Sequence, residues 1–296
     1  MTTLSGCGTA IVTPFADDGA VDWPALRALV EWQVTEGIDF IVACGTTGEA
    51  PTLTHAERAQ VVAATREAVA GRVPVMVGAT SNDTHRAVDA VRRMCDAGAD
   101  VILTASPYYN RPTQEGLRRH FEAVADASAR PVVLYNVPGR AGVNLLPATA
   151  VALAVHGNII GIKEAAGDMH QALELLRLRP EGFRVFSGDD WMALPLCACG
   201  GDGLISVASN ELPRELTDLV RLARAGELSA AQALLWRLLP LLDANFIESN
   251  PIPVKAALAA MGRIRNVLRL PLVPAQPATV LRLRQELARL NVRLHP

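Results

Sequence analysis

Eight short apolar runs recur along the chain at intervals of roughly 20 to 35 residues, the spacing of a strand-helix unit and not of a sandwich. They are Thr9 to Val12, Phe40 to Cys44, Val73 to Gly78, Val101 to Thr104, Val132 to Tyr135, Ile159 to Lys163, Arg184 to Ser187 and Leu204 to Val207. Each is almost continuously apolar, as expected of strands buried on both faces. Amphipathic segments separate them, among others Trp23 to Glu36, Ala56 to Val69, Thr84 to Ala97, Glu115 to Ala127 and Pro147 to Val155. Thr54 with Glu57 makes a capping box at the start of one, and Gly37, Gly71 and Gly98 stop three. The pattern predicts an α/β protein, a closed parallel (β/α)8 TIM barrel, over residues 1–225. An open doubly wound sheet fits less well. No Gly-x-Gly-x-x-Gly turn follows the first run, and the glycines of Gly200-Gly201-Asp202-Gly203 precede a strand instead of opening a helix.

Residues 226–296 read as a helical appendage, with Ser229 to Phe246, Pro251 to Gly262 and Ala278 to Leu290 as its helices. Its stripe of Leu234, Leu238 and Leu241 is expected to pack on the barrel or on a neighbouring subunit. The hydrophobic fraction of 50% against 20% charged residues predicts an ordered soluble protein, and the net charge of -2 gives no basic surface for nucleic acid. No apolar stretch is long enough to span a bilayer, and residues Met1 to Cys7 lack a signal-peptide pattern, so a cytoplasmic location without membrane contact is expected. The five cysteines are irregularly spaced and the histidines scattered, which predicts neither disulfides nor a bound metal.

Lysine is nearly absent. Of the 28 basic residues only Lys163 and Lys255 are lysines. Arginine can replace lysine as a surface charge, but its delocalised cation cannot condense with a carbonyl, whereas a desolvated amine can. Lys163 ends the sixth apolar run and is the candidate Schiff-base nucleophile. The three tyrosines, Tyr108, Tyr109 and Tyr135, also fall at or just beyond strand ends. In such barrels the reactive groups gather at the carboxyl ends of the strands. There this chain places Gly45-Thr46-Thr47-Gly48-Glu49, Pro107-Tyr108-Tyr109-Asn110-Arg111-Pro112, Tyr135 to Arg140, Lys163, and Ser187-Gly188-Asp189-Asp190. Each group suits carbonyl chemistry. A buried lysine favours its neutral, nucleophilic form. Thr46 and Thr47 offer a nest for an α-carboxylate, a tyrosine linked through a threonine hydroxyl can shuttle protons, and Arg140 can hold a second carboxylate.

These segments, together with Ala10-Ile11-Val12-Thr13-Pro14, Gly203-Leu204-Ile205-Ser206-Val207 and Asn250-Pro251-Ile252-Pro253-Val254-Lys255, closely resemble the dihydrodipicolinate synthases of the pyruvate-dependent class I aldolase (N-acetylneuraminate lyase) superfamily. The resemblance implies condensation of pyruvate with L-aspartate 4-semialdehyde, early in diaminopimelate and lysine synthesis, without a cofactor. Carried over residue by residue, it implies that Lys163 forms the Schiff base and Tyr135 is the general acid/base. Tyr135 would be linked through Thr46 to Tyr109 of a neighbouring subunit. Thr47 would bind the pyruvate carboxylate and Arg140 the semialdehyde carboxylate, with the backbone at Gly188 and Ile205 lining the pocket. Tyr108 would pack in a tight interface of a homotetramer, a dimer of dimers.

The chain departs from lysine-inhibited members at Arg58 and Arg86, where those carry histidine and glutamate, while His55, Asn82 and Tyr108 match. Weak or absent inhibition by lysine is the expectation. Lys255 is read as structural. Three other functions are compatible with parts of the pattern: a related aldolase acting on a sugar-acid aldehyde, a pyridoxal-phosphate enzyme with Lys163 as its aldimine, and a non-catalytic barrel used for binding.

Overall fold

The computed structural model describes residues 4–295. Eight parallel strands form a closed barrel: β1 (Gly6–Ala10), β2 (Phe40–Ala43), β3 (Val75–Gly78), β4 (Val101–Ala105), β5 (Val132–Asn136), β6 (Ile159–Glu164), β7 (Arg184–Ser187) and β8 (Gly203–Ser206). The barrel closes where Gly6 and Cys7 of β1 pair with Gly203 and Leu204 of β8. The predicted helices form at Trp23–Thr35, His55–Val69, Thr84–Asp96, Gln114–Ala127 and Pro147–Leu153, and Met169–Leu178, Ala193–Ala198 and Pro213–Arg224 complete the ring. The capping box forms as expected, with the Glu57 N–H donating to Thr54 Oγ1 at 3.2 Å and the Thr54 N–H to Glu57 Oε2 at 2.8 Å.

The first strand lies three residues earlier than its apolar run suggested. Gly6 and Gly8 mask it in the sequence, because glycine has low strand propensity. The barrel nevertheless requires Gly8: a Cβ there would sit 2.1 Å from the Phe40 ring, which fills the barrel interior beside Phe186.

The twofold period of a strand separates two cores. Phe40, Met76, Leu103, Val133, Tyr135, Phe186 and Ile205 pack inside the barrel. Val132, Leu134 and Ile162, on alternate positions, face the helices. Three further helices, Leu228–Ala244, Ile252–Ala260 and Pro277–Arg289, share that outer core. Leu238 and Leu241 are fully buried there, with Leu234 packed partly against it.

Lys255 ties this helical region to the barrel. Its Nζ donates to Glu49 Oε1 at 2.6 Å and to the Thr13 carbonyl at 2.9 Å, and lies 4.2 Å from the Phe15 ring centroid. Both members of the ion pair are fully buried. Glu49 also accepts from the Arg269 backbone N–H at 3.1 Å, so the loop after β2 is held from behind by two separate segments. A fork-shaped arginine head would need more donors satisfied than this enclosed site offers. No helix among the described residues is long and apolar enough to cross a membrane.

Candidate active site

The site begins with strand register. Tyr135 on β5 is paired with Lys163 on β6, and Asn136 with Glu164. Paired residues on adjacent strands share a face, so the phenol and the amine point together into the barrel while Asn136 and Glu164 point outward. The Lys163 Nζ lies 4.4 Å from the centroid of the Tyr135 ring. On the outer side, Asn136 Nδ2 donates to both Glu164 oxygens at 3.1 Å, Gln171 Nε2 donates to Glu164 Oε2 at 3.1 Å, and the Ala166 N–H donates to Oε1 at 2.7 Å. This buried network secures the end of β6 immediately beside the lysine.

Lys163 lies at the floor of a cavity of about 370 Å³, whose walls include Thr46, Thr47, Tyr108, Tyr135, Arg140, Gly188, Asp189 and Asn250. That volume falls in the ordinary range of small-molecule sites. Gly188 is required by close approach, since a Cβ would lie 2.9 Å from Lys163 Cε and 2.6 Å from Ala165 Cβ. With hydrogen in its place, the lysine stem can lie across the backbone.

Burial lowers the Lys163 ammonium from its ordinary value to about 8, opposed by the carboxylates of Asp189 and Asp190 and assisted by the nearby Arg140 charge. The amine is therefore substantially neutral at mildly alkaline pH. Burial raises Tyr135 to about 12, with Arg140 partly offsetting it, so this phenol holds its proton until a reacting group demands it. Asp189 is pushed up to about 6 by burial, with the Lys163 charge pulling it down and Asp190 adding to the rise.

Thr47 is buried, and its Oγ1 accepts from Asn250 Nδ2 at 3.0 Å. Arg140 is anchored through Nη2 to the Asn250 carbonyl at 3.1 Å. Ile205 lies elsewhere than expected, buried inside the barrel below the cavity, whose wall there is Val207. Tyr109, expected at the site of a neighbouring subunit, lies outside the cavity of its own chain. It is 88% exposed, at a backbone φ of +74°, with its N–H donating to the Ala141 carbonyl at 3.3 Å. Left-handed φ is unusual for a bulky residue. Arg58 lines the outer end of the cavity, its guanidinium donating to the Ala50 carbonyl at 3.1 and 2.6 Å, and Arg86 is exposed on the helix Thr84–Asp96. Asn250 and Asp189 had no role assigned from sequence. Asp189 was visible there as a strand-end carboxylate, whereas Asn250 stands in the helical region with no sequence signal beyond its Asn-Pro turn. Among the described residues, no group of three or more His, Cys, Asp or Glu is placed to hold a metal ion.

A parallel barrel with a weakly basic, buried lysine beside a phenol at the carboxyl end of its strands defines an enzyme class that activates carbonyl compounds through an amine. The chain belongs to the dihydrodipicolinate synthetase family, whose profile matches residues 3–290. It is 54% identical over 275 residues, 93% of this chain and 92% of the relative, to a Koribacter versatilis protein named 4-hydroxy-tetrahydrodipicolinate synthase. A protein of the same name from Anaeromyxobacter dehalogenans is 48% identical over 295 residues, 99% of this chain and 100% of that one. The dihydrodipicolinate synthase structure from Thermotoga maritima superposes with a TM-score of 0.97 at 43% identity, covering 98% of this chain and 100% of that one. The Acinetobacter baumannii enzyme, solved complexed with pyruvate, gives the same TM-score of 0.97, identity of 43% and coverage of 98% and 100%.

Proposed function

We infer that this chain condenses pyruvate with L-aspartate 4-semialdehyde through a Lys163 Schiff base to give 4-hydroxy-tetrahydrodipicolinate. The observation that carries the reading is the amine of Lys163, brought to about 8 by burial and facing Tyr135 in a cavity with two carboxylate anchors. Family membership and relatives at about half identity supply the substrate pair.

The neutral Lys163 amine attacks the pyruvate ketone to give a carbinolamine, while the Thr47 hydroxyl binds the pyruvate carboxylate. Tyr135 supplies the proton with which the hydroxyl leaves as water, giving the imine. The Tyr135 phenolate left by that step takes a methyl proton, which converts the imine into an enamine and restores the phenol, and the enamine carbon adds to the aldehyde carbon of the second substrate. The new alkoxide takes a proton from Tyr135, and Arg140 holds the semialdehyde carboxylate by a charge-assisted pair. The semialdehyde's own amine then attacks the imine carbon and releases Lys163, closing the ring.

Proton exchange between Tyr135 and solvent runs through Thr46 and Tyr109 in this reading. Tyr109 does not line the cavity of its own chain, so the relay is completed by the tyrosine of a second copy. The exposed Tyr108 and Tyr109 form part of that contact, and the assembly is a dimer of dimers working in the cytoplasm. Incubation with pyruvate and L-aspartate 4-semialdehyde, coupled to the downstream reductase and followed by NADPH oxidation, tests the activity. Turnover in the wild type and its loss in Lys163→Arg are expected. Absence of turnover in the wild type overturns the assigned aldehyde.

A further inference from the structure

Asn250 lies between the helices Leu228–Ala244 and Ile252–Ala260, outside the strand ends that carry the other polar groups, yet it lines the cavity. It makes two contacts there. Its side-chain Nδ2 donates to Thr47 Oγ1 at 3.0 Å across 203 residues of sequence, and its backbone carbonyl accepts from Arg140 Nη2 at 3.1 Å across 110 residues. Its Oδ1 is buried without a partner, and the residue as a whole is 6% exposed. Its amide nitrogen is thus spent on Thr47 and its backbone carbonyl on Arg140.

The direction of the hydrogen bond gives the amide its use. A hydroxyl has one proton and two acceptor lone pairs. Since Asn250 donates, Thr47 uses a lone pair toward it, and the Thr47 proton stays free to point at a ligand carboxylate. The backbone carbonyl of the same residue holds the guanidinium of Arg140, so the two anion anchors stand at a set separation through one residue. We propose that Asn250 is a positioning residue, which turns the Thr47 hydroxyl into a donor toward the pyruvate carboxylate and spaces Arg140 from it. The inference rests on the assignment of pyruvate to Lys163 and Thr47 made above.

The test uses the full-length protein at pH 8, with borohydride trapping of labelled pyruvate on Lys163 for half-saturation and the coupled assay for the KM of the aldehyde. Asn250→Ala removes the amide but keeps the backbone carbonyl. It is expected to raise pyruvate half-saturation about five- to tenfold, the loss of one ordinary hydrogen bond, and to leave the aldehyde KM within about twofold. Asn250→Asp preserves shape but cannot donate when ionised; it draws the Thr47 proton to itself and places a negative charge beside the substrate. A larger loss than for alanine, above about thirtyfold, is expected. In a Thr47→Val background the effect of Asn250→Ala should shrink to less than about twofold, as required of residues acting through one another.

An aspartate milder than the alanine overturns the proposal, because packing alone would favour the isostere. Equal rises in both substrates' constants, or an undiminished effect in the Thr47→Val background, also overturn it. Wild-type protein that traps no pyruvate refutes the Schiff-base reading itself and this inference with it, whereas wild-type trapping with unchanged variant saturation refutes only the role of Asn250.

Discussion

Replacing Lys163 by methionine is expected to stabilise the protein at neutral pH while abolishing turnover. Lys163 is 6% exposed, and its burial brings the ammonium from an ordinary 10.5 to about 8. Each tenfold change in proton affinity corresponds to about 1.4 kcal/mol, so the folded state disfavours the charged amine by about 3 kcal/mol at pH 7. The sign follows from proton counting. Between about pH 8 and 10.5 the unfolded chain binds the proton and the folded chain does not, so wild-type stability rises with pH across that window. Below it the deficit is complete, and above it the deficit vanishes. Methionine keeps the stem volume and cannot titrate. The Asp189 carboxylate loses its partner charge in the variant, which trims the gain. A net stabilisation of about 1–3 kcal/mol at pH 7, closing toward zero near about pH 10, is therefore expected. Denaturant unfolding of both proteins at one fixed protein concentration, at each pH, measures it. A variant no more stable than wild type at pH 7, or a gap of equal size at both pH values, refutes the argument that burial of the amine sets its basicity.

Trapping of pyruvate on Lys163 should rise with pH with a midpoint near about 8, and Asp189→Asn, which removes the leading charge that favours the ammonium, should move that midpoint down; an upward or absent shift contradicts the assignment. Lys255→Met leaves Glu49 buried and unpaired and should cost about 3–5 kcal/mol in denaturant unfolding, while the double change Glu49→Gln with Lys255→Met should cost less than Lys255→Met alone. Gly188→Ala should cut pyruvate trapping at least about tenfold and cost about 1–3 kcal/mol in denaturant unfolding, since the new methyl meets the lysine stem and the Ala165 methyl; full trapping at wild-type stability would remove the steric reason for glycine. Lysine should inhibit weakly or not at all, because Arg58 and Arg86 present positive charge to an ammonium-bearing effector, and half-maximal inhibition at sub-millimolar lysine in a steady-state assay would count against this.

Much of the fold was legible because a barrel strand, buried on both faces, leaves a continuous apolar run in the sequence. Seven of the eight runs overlap their strands closely, from Phe40 in β2 to Leu204 in β8. The first was displaced because Gly6 and Gly8 carry no apolar side chain to signal burial, and only the fold explains them: the Asp39 side chain and a positive φ at Gly6, and the Phe40 ring at Gly8. Within the cavity, Lys163, Tyr135, Thr46, Thr47, Arg140 and Gly188 come together as the strand-end rule anticipates. Tyr109 is exposed and does not line that cavity, and its left-handed backbone is a conformation at a single residue that no periodicity records.

The sequence by itself determined the alternation of strand and helix, the strand ends on which polar groups would meet, and the rarity that made Lys163 conspicuous, because these are properties of residue type and spacing. Tertiary structure alone decided the basicity of that lysine, which depends on how much water the closed barrel excludes and on which charges of other strands remain near it. It also decided that Lys255 is buried against Glu49, and that Asn250 reaches Thr47 across 203 residues. Desolvation, ion pairing and hydrogen bonding act over a few ångströms of space, and distance along the chain carries no information about them until the barrel has closed and the helical region has packed against its rim.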